Sequence, residues 1–387
     1  MPQVDFSQFH YYPALQCSDG EHIGYQNLPN DDKDRLVPIF ELSQRSKALD
    51  LQPSIDLIRA TTKHRPFIFD LCREPLPAPT LPKNPKDPDA ALERFQVAVK
   101  IQTAYNAALA KFLDPSDGFG YWRSVVRTFE NAVPTIQFKD AASHSRQILR
   151  QAALLSRDGN SIAIRVTQKD DPHIFSIIAQ IISILESPDR LLIIIDAGYA
   201  RQNVSKGASF ALNSIAQILN SIDLLEAPLL RAVCMSSSFP KTDHDGILEI
   251  DNRDWALWKE AREAFPFMFG DYGATYRHRR TAFTPFDWRA VVVLPFEEAW
   301  LAYRYANAKD KKGWVVGAQE VKNDARFLKA PKIWGVGVIQ QASINDITDI
   351  DSPKAWYGAK VNIHLHQQIN FARNNFLNYE DDDDEPE

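Results

Sequence analysis

The strongest constraint on the fold is a rhythm: short runs of β-branched and other apolar residues alternate with longer stretches of helical periodicity. Residues 37–42 and 66–71 read as buried strands of nearly the same build, followed by 133–138, 161–166, 190–196, 230–236 and 267–272. A continuous apolar run bounded by turn signals is what a strand covered on both faces requires. Between these runs the apolar spacing predicts helices near 54–62, 143–155, 174–185, 208–224 and 255–265. Strands and helices alternating at this spacing imply right-handed βαβ units and a parallel sheet. Seven to eight such units favour a closed α/β barrel of the TIM-like (β/α)8 type over an open doubly wound sheet.

Two stretches break the rhythm. Residues 75–88 are proline-rich and unsuited to regular structure. They lead into a long helical pattern at 90–112, so an insertion of about 73–130 is expected after the second of these strands. Further on, 290–294 and 299–305 look like a β-hairpin, followed by a helical pattern near 319–328. The run at 334–339 is the candidate eighth strand, which puts the hairpin excursion before strand 8. A helix over 353–377 would close the barrel. The expected organisation is one barrel domain over 1–378 and an acidic, disordered tail over 379–387.

That tail decides how the net charge is read. The chain carries −6, and the seven carboxylates of its last eight residues account for more than all of it. The body is therefore close to neutral, which argues against broad nonspecific binding to nucleic acid. Cys17, Cys72 and Cys234 are scattered and odd in number, suggesting neither a disulfide framework nor a zinc site. No apolar stretch is long enough for a bilayer, and residues 1–9 lack a basic segment followed by an apolar run. No membrane attachment, no secretory leader and a cytoplasmic setting are the expectations.

In a parallel barrel the carboxyl ends of the strands gather on one rim, where function sits in nearly all enzymes of this shape. A polar residue follows each apolar run: Glu41, Asp70, Gln137, Arg165, Asp196, Ser236 to Ser238, and Asp271. Strand-terminal acids also cap helices or pair across a rim, so any one of them has a structural reading too. Together they suggest a pocket of convergent ionisable groups. Carboxylates from separate strands would suit Mg²⁺ or another hard cation that activates water. A pair of acids would equally suit general acid and base work. Arg165, with Arg277, His278, Arg279 and Arg280 after the seventh strand, would suit an anion clamp, although that cluster is also what a solvated loop looks like.

Several signatures are missing: GxxxxGK[ST], GxGxxG at a strand–helix turn, GxSxG, HExxH and paired CxxC. No histidine can be assigned to Ser236, Ser237 or Ser238. His364 and His366 stand two apart in an expected helix and so point to different faces. Tryptophans crowd the carboxyl-terminal half and suit packing better than base stacking.

The ordered motifs at 11–15 (YYPAL), 20–24 (GEHIG), 37–41 (VPIFE) and 269–273 (FGDYG), with Trp356 and 362–366 (NIHLH), resemble the beta protein family of phages and bacterial mobile regions. The resemblance runs from about Tyr11 to Phe371 and implies a barrel. It brings no settled activity, and it implies a role in phage–host conflict. Glu41, Asp271 and Asn362 are the positions it carries over.

The expected function is accordingly a component of a phage or antiphage system. Its barrel mouth would bind an anionic small molecule such as a nucleotide or phosphate, as a sensor or as a subunit for another defence-system or phage protein. In that reading Gln137, Arg165, Ser236, Ser238, Arg277, Arg280 and Asn362 bind the ligand. The alternative is a phosphoester hydrolase with Asp70, Asp196 and Asp271 as metal ligands and Glu41 as general base. A third reading is a structural interaction protein whose acidic tail recruits a basic partner.

Overall fold

The computed structural model describes residues 2–45, 48–81, 87–222, 230–276 and 288–381. Its first strand, β1 (Tyr11–Gln16), leads into helices α1 (Asp19–Gln26) and α2 (Asn30–Lys33). The βα rhythm then runs through β2 (Ile39–Leu42), α3 (Gln52–Thr62) and β3 (Phe67–Leu71). The expected insertion follows as α4 (Pro88–Phe112) and α5 (Ser116–Val126). It resumes with β4 (Ala132–Pro134), α6 (Ala141–Leu155), β5 (Ile162–Thr167), α7 (His173–Ile184), β6 (Leu191–Tyr199) and α8 (Val204–Asn220). Next come β7 (Arg231–Ser237), β8 (Gly246–Asp251), α9 (Asp254–Arg262) and β9 (Met268–Asp271).

Eight of these strands form one sheet in the order β4-β3-β2-β1-β9-β7-β6-β5, and every pairing is parallel. The two ends meet just past β4, where Thr135 bridges Ala163 and the Ile136 N–H donates to the Ala163 carbonyl at 2.7 Å. The sheet is thus nearly closed into a barrel, as the alternation predicts.

Side chains alternate across each strand, and the two apolar sets sort cleanly. Ala14, Ile39, Ile68, Val133, Ala163, Leu192, Ile194 and Val233 fill the inside. Phe40, Phe69, Ile164, Ile193, Ile195 and Phe269 face the surrounding helices. The amino end of the barrel is plugged by the residues before β1. There Phe6 is buried, its carbonyl accepts from the Tyr12 hydroxyl, and Val4 exchanges two hydrogen bonds with Ser161.

The chain then adds a second layer: β10 (Arg289–Pro295), β11 (Ala299–Ala308), α10 (Lys312–Lys322), α11 (Trp334–Ser343) and α12 (Pro353–Asp381). The expected hairpin is β10–β11, and β8 joins it as an antiparallel edge strand. Trp314 stacks with Trp288 on one side and Trp356 on the other within a core shared with α11 and α12.

One expectation is corrected here. Residues 334–339 lie in α11, not in an eighth strand, and the hairpin follows the last barrel strand rather than preceding it. The missing strand is β1. It pairs with β2 and β9 on either side, yet its Pro13 has no N–H to give to a ladder, and proline in a sequence speaks against a central strand.

Helix α12 is drawn in tightly over the barrel. A Cβ on Gly24 would lie 2.7 Å from the Gly358 carbonyl, and one on Gly335 would lie 2.5 Å from the Ala359 carbonyl. Asn362 fastens both approaches: its Oδ1 accepts from the Gly335 N–H at 2.9 Å, and its Nδ2 donates to the Gly24 carbonyl at 3.0 Å. The segments 20–24 and 362–366 are therefore two halves of one helix–helix junction.

Candidate functional site

Strand parity decides which of the polar strand ends meet. Glu41, Asp70 and Asp196 fall on inward positions, two residues beyond Ile39, Ile68 and Ile194, and Arg165 falls two beyond Ala163. All four are buried and converge at the carboxyl-terminal mouth. The Arg165 guanidinium lies among the acids: Nη1 donates to Glu41 Oε2 at 2.7 Å and to Asp70 Oδ2 at 2.6 Å. Its Nε and Nη2 donate to Asp196 Oδ2 at 3.1 and 2.8 Å, and Nη2 also meets the Tyr272 hydroxyl. Tyr272 in turn donates to Asp196 at 2.7 Å. Burial opposes the charge on Arg165, but Tyr272, Asp196, Glu41 and Asp70 outweigh it and hold the guanidinium well above its usual range. Thr135 donates to Asp70 Oδ1 at 2.8 Å and accepts from Gln137 Nε2, so Gln137 sits behind Asp70.

Above this network opens a cleft of about 540 Å³, lined among others by Glu41, Ser43, Asp70, Arg165 and Asp196. Its upper wall carries Arg73, Lys139 and Lys169 beside Tyr105, Phe138 and Tyr199. Arg73 is fixed by Asp170 at 2.9 and 3.0 Å and lies 4.0 Å over the Phe138 ring. Lys169 pairs with Glu74, and Lys139 is exposed. Among the described residues the rim thus carries Arg73 and Lys169, paired with Asp170 and Glu74, and the exposed Lys139, while the floor holds Glu41, Asp70 and Asp196 around Arg165.

Asp271 and Ser236 have the opposite parity. Asp271 stands two residues beyond the outward Phe269, so it turns toward α12, while its neighbour Tyr272 turns in. Asp271 Oδ1 accepts from the Tyr11 hydroxyl at 2.8 Å and the Gly273 N–H at 2.9 Å, and Oδ2 pairs with His364 Nε2 at 2.7 Å. Trp300 Nε1, which can only donate, points at His364 Nδ1 at 3.2 Å. The hydrogen of a neutral His364 therefore belongs on Nε2, facing Asp271. Ser236 and Ser238 both donate to Asp254, the first residue of α9, at 2.6 and 2.8 Å. Burial, with the charge of Asp271, raises the Asp254 carboxyl to about 6.

The expected set thus divides. Glu41, Asp70, Arg165 and Asp196 meet at the cleft, with Gln137 behind them. Asp271, Ser236 and Ser238 belong to neighbouring buried networks, and Asn362 lies in the helix junction. Arg277 and Arg280 lie outside the described residues. The donor set does not fit the Mg²⁺ that the hydrolase alternative would need: a guanidinium occupies the space between the carboxylates, and no metal-ready group of three or more His, Cys, Asp or Glu exists among the described residues.

Sequence reasoning missed Tyr272 and Thr135, which complete the floor, and Ser43 and Arg73, which line the walls. It also missed Asp254 and Lys360. Lys360 is a buried lysine of α12 lying 4.3 and 4.4 Å over the rings of Phe239 and Tyr357, and burial lowers it to about 7 against a partial offset from Glu21. Only Tyr272 carried a signal, since it directly follows a strand-end acid.

No helix among the described residues is long and apolar enough to cross a membrane. The family described as Beta protein matches residues 11–370, which takes in every barrel strand and most of α12. Protein beta of Enterobacteria phage P4 is 25% identical over 393 residues, an alignment covering 99% of each chain. With that match spanning the barrel, its mouth and the helix that closes over it, the chain belongs to the Beta protein family.

Proposed function

We propose that this chain is a phage-associated ligand-binding barrel whose mouth takes an anionic molecule of nucleotide size, working in the cytoplasm as a sensor or partner-binding subunit in phage–host conflict. The observation that carries this reading is the cleft: about 540 Å³ at the carboxyl ends of the strands, with cations on its upper wall. That volume falls in the range of small-molecule sites. Lys139 and Lys169 are the groups that meet an anion first, because they are exposed on the rim. Arg165 is held by three carboxylates and orders the floor instead. Tyr199, exposed on the same wall and edge-on to Tyr276 at 5.3 Å, offers a face for a flat ring.

The test is calorimetry and thermal shift with nucleoside mono- and diphosphates, pyrophosphate and inorganic phosphate, on the full chain and on Lys139→Ala/Lys169→Ala. At least one of these probes is expected to raise the melting temperature of the unaltered chain. The double variant should weaken that binding about ten-fold or more. If every probe leaves the melting temperature unchanged, or binds both proteins equally, the reading fails.

A further inference from the structure

We infer that the anionic ligand of the mouth is built on a phosphorylated sugar, free or within a ribonucleotide, that turns neighbouring hydroxyls inward onto Ser43 and Asp70. The inference rests on the reading of the cleft as an anion-binding site and adds the group that fills its inner end.

Ser43 supplies the first observation. It follows Glu41 by two residues and lines the cleft together with Asp70. It is 4% exposed, and its buried hydroxyl has no hydrogen-bond partner. Buried polar groups are nearly always paired, so a hydroxyl left over on the wall of a cleft marks a place where a ligand completes the pairing. Such a group can both give and accept a hydrogen bond, which suits another hydroxyl.

Asp70 supplies the second. Its Oδ1 accepts from Thr135 at 2.8 Å and its Oδ2 from Arg165 at 2.6 Å. A carboxylate has about four acceptor positions, so each oxygen can take one more hydrogen bond. Asp70 is already ion-paired with Arg165, and what it offers a ligand is acceptor capacity. A neutral O–H uses that capacity without bringing a further charge out of water. A phosphate oxygen has no hydrogen to give and is repelled by the carboxylate.

The layout of the strands is the third. Glu41 stands opposite Asp70 in the β2–β3 register, so Ser43 lies one step further up on the strand beside Asp70. Acidic side chains bind the ribose hydroxyls of nucleotides in this way. Continuing round the barrel, β3 pairs with β4, and the chain just past β4 bridges β5; the residues beyond these two strands bring Lys139 and Lys169 to the same cleft. A place for hydroxyls and a place for an anion are thus adjacent on one arc of the mouth, as the hydroxyls and the phosphate of a single sugar are.

The experiment compares matched pairs by calorimetry on the full chain: AMP, GMP, CMP and UMP against their 2′-deoxy counterparts, and ribose 5-phosphate against deoxyribose 5-phosphate. In at least one pair the ribose form is expected to bind about ten-fold tighter, and the pair in which it does tells whether a base is part of the ligand. In Ser43→Ala that ratio should fall toward one. Without ligand, Ser43→Ala should melt no lower than the unaltered chain, because the hydroxyl it removes has no partner to lose. Equal affinities within every pair, a preference that Ser43→Ala leaves intact, or a marked drop in that variant's melting temperature would each overturn the inference. Binding of phosphate or pyrophosphate with every sugar probe silent would do the same and leave the anion site standing. Silence from all of these probes would remove the anion site and the inference with it.

Discussion

Replacing Arg165 with methionine should turn the mouth into a pH-dependent weak point. The guanidinium satisfies Asp196 with two hydrogen bonds, Glu41 and Asp70 with one each, and also meets Tyr272. Methionine keeps much of the volume and none of the donors. Breaking a buried ion pair by removing one partner costs about 3–5 kcal/mol. Three acids lose the Arg165 guanidinium here, so at pH 8 the loss should reach the top of that range, about 5 kcal/mol. The site has one way to relax, which is to take up protons. In the variant the clustered carboxylates then hold protons at a pH where the unfolded chain has released them. Their folded values are raised, so stability is fully present below the unfolded value near 4 and is lost as pH rises through the folded ones. At pH 5 the penalty should accordingly fall to about 2 kcal/mol. Urea unfolding followed by tryptophan fluorescence, on both proteins at pH 5, 6.5 and 8, measures this directly. Adding Asp70→Asn to Arg165→Met should recover part of the loss at pH 8, a coupling expected of groups in one network. A penalty below about 1 kcal/mol, or one that stays flat from pH 5 to 8, would refute the claim that the guanidinium holds three charged acids together.

Three further perturbations probe the surroundings. Asp254, raised to about 6 by burial and Asp271, contributes stability below its unfolded value and loses it as pH climbs through 6. Asp254→Asn lacks that dependence, so its stability relative to the unaltered chain should improve by about 2 kcal/mol between pH 4 and 7.5; a constant gap would contradict the assignment. Lys360, lowered to about 7 by burial, is the opposite case, and the unaltered chain should gain stability as pH rises from 7 toward 10.5. Lys360→Met keeps contact with both rings, so it should be the more stable protein by at least about 1 kcal/mol at pH 6, with the advantage fading by pH 9.5 in thermal melts. Gly335→Ala places a methyl 2.5 Å from the Ala359 carbonyl, and the backbone there cannot swing aside as a side chain would. A loss of about 1–3 kcal/mol in urea unfolding is expected, and a neutral substitution would mean that α11 and α12 part freely.

The sequence was most readable where burial is two-sided. The runs that became β3, β5, β6 and β7 stand out because a strand covered on both faces must be apolar throughout, and β6, with Leu191 to Ile195 in succession, left little choice. The hairpin β10–β11 and the helix α12 were readable for similar reasons of period and length. Elements outside that regime were not. The first strand carries Pro13 and two tyrosines and lies before any helix that would set the rhythm. The Gly-Val-Gly-Val run at 335–338 is short enough to suit either structure, and packing against Asn362 and Ala359 settles it as helix. The strand β8, with Ile247 and Leu248 exposed, lacks the buried pattern altogether.

The site shows the same limit in sharper form. A polar residue at the end of a strand announces itself in the sequence, but whether it enters the mouth depends on counting in twos from a side chain whose direction is known. Glu41, Asp70, Arg165 and Asp196 each follow an inward apolar residue by two and arrive together. Asp271 follows the outward Phe269 by two and so belongs to Tyr11 and His364, while Tyr272, one step on, completes the floor. That single offset separates a residue of the cleft from a residue of the wall behind it. The phase was recoverable only for strands with one bulky aromatic set and one small or aliphatic set, as in β2 and β3, where Phe40, Phe67 and Phe69 mark the outer face. Partners drawn from elsewhere in the chain, such as Thr135 on Asp70 or His364 on Asp271, required closure of the barrel and the docking of α12, which no local pattern encodes.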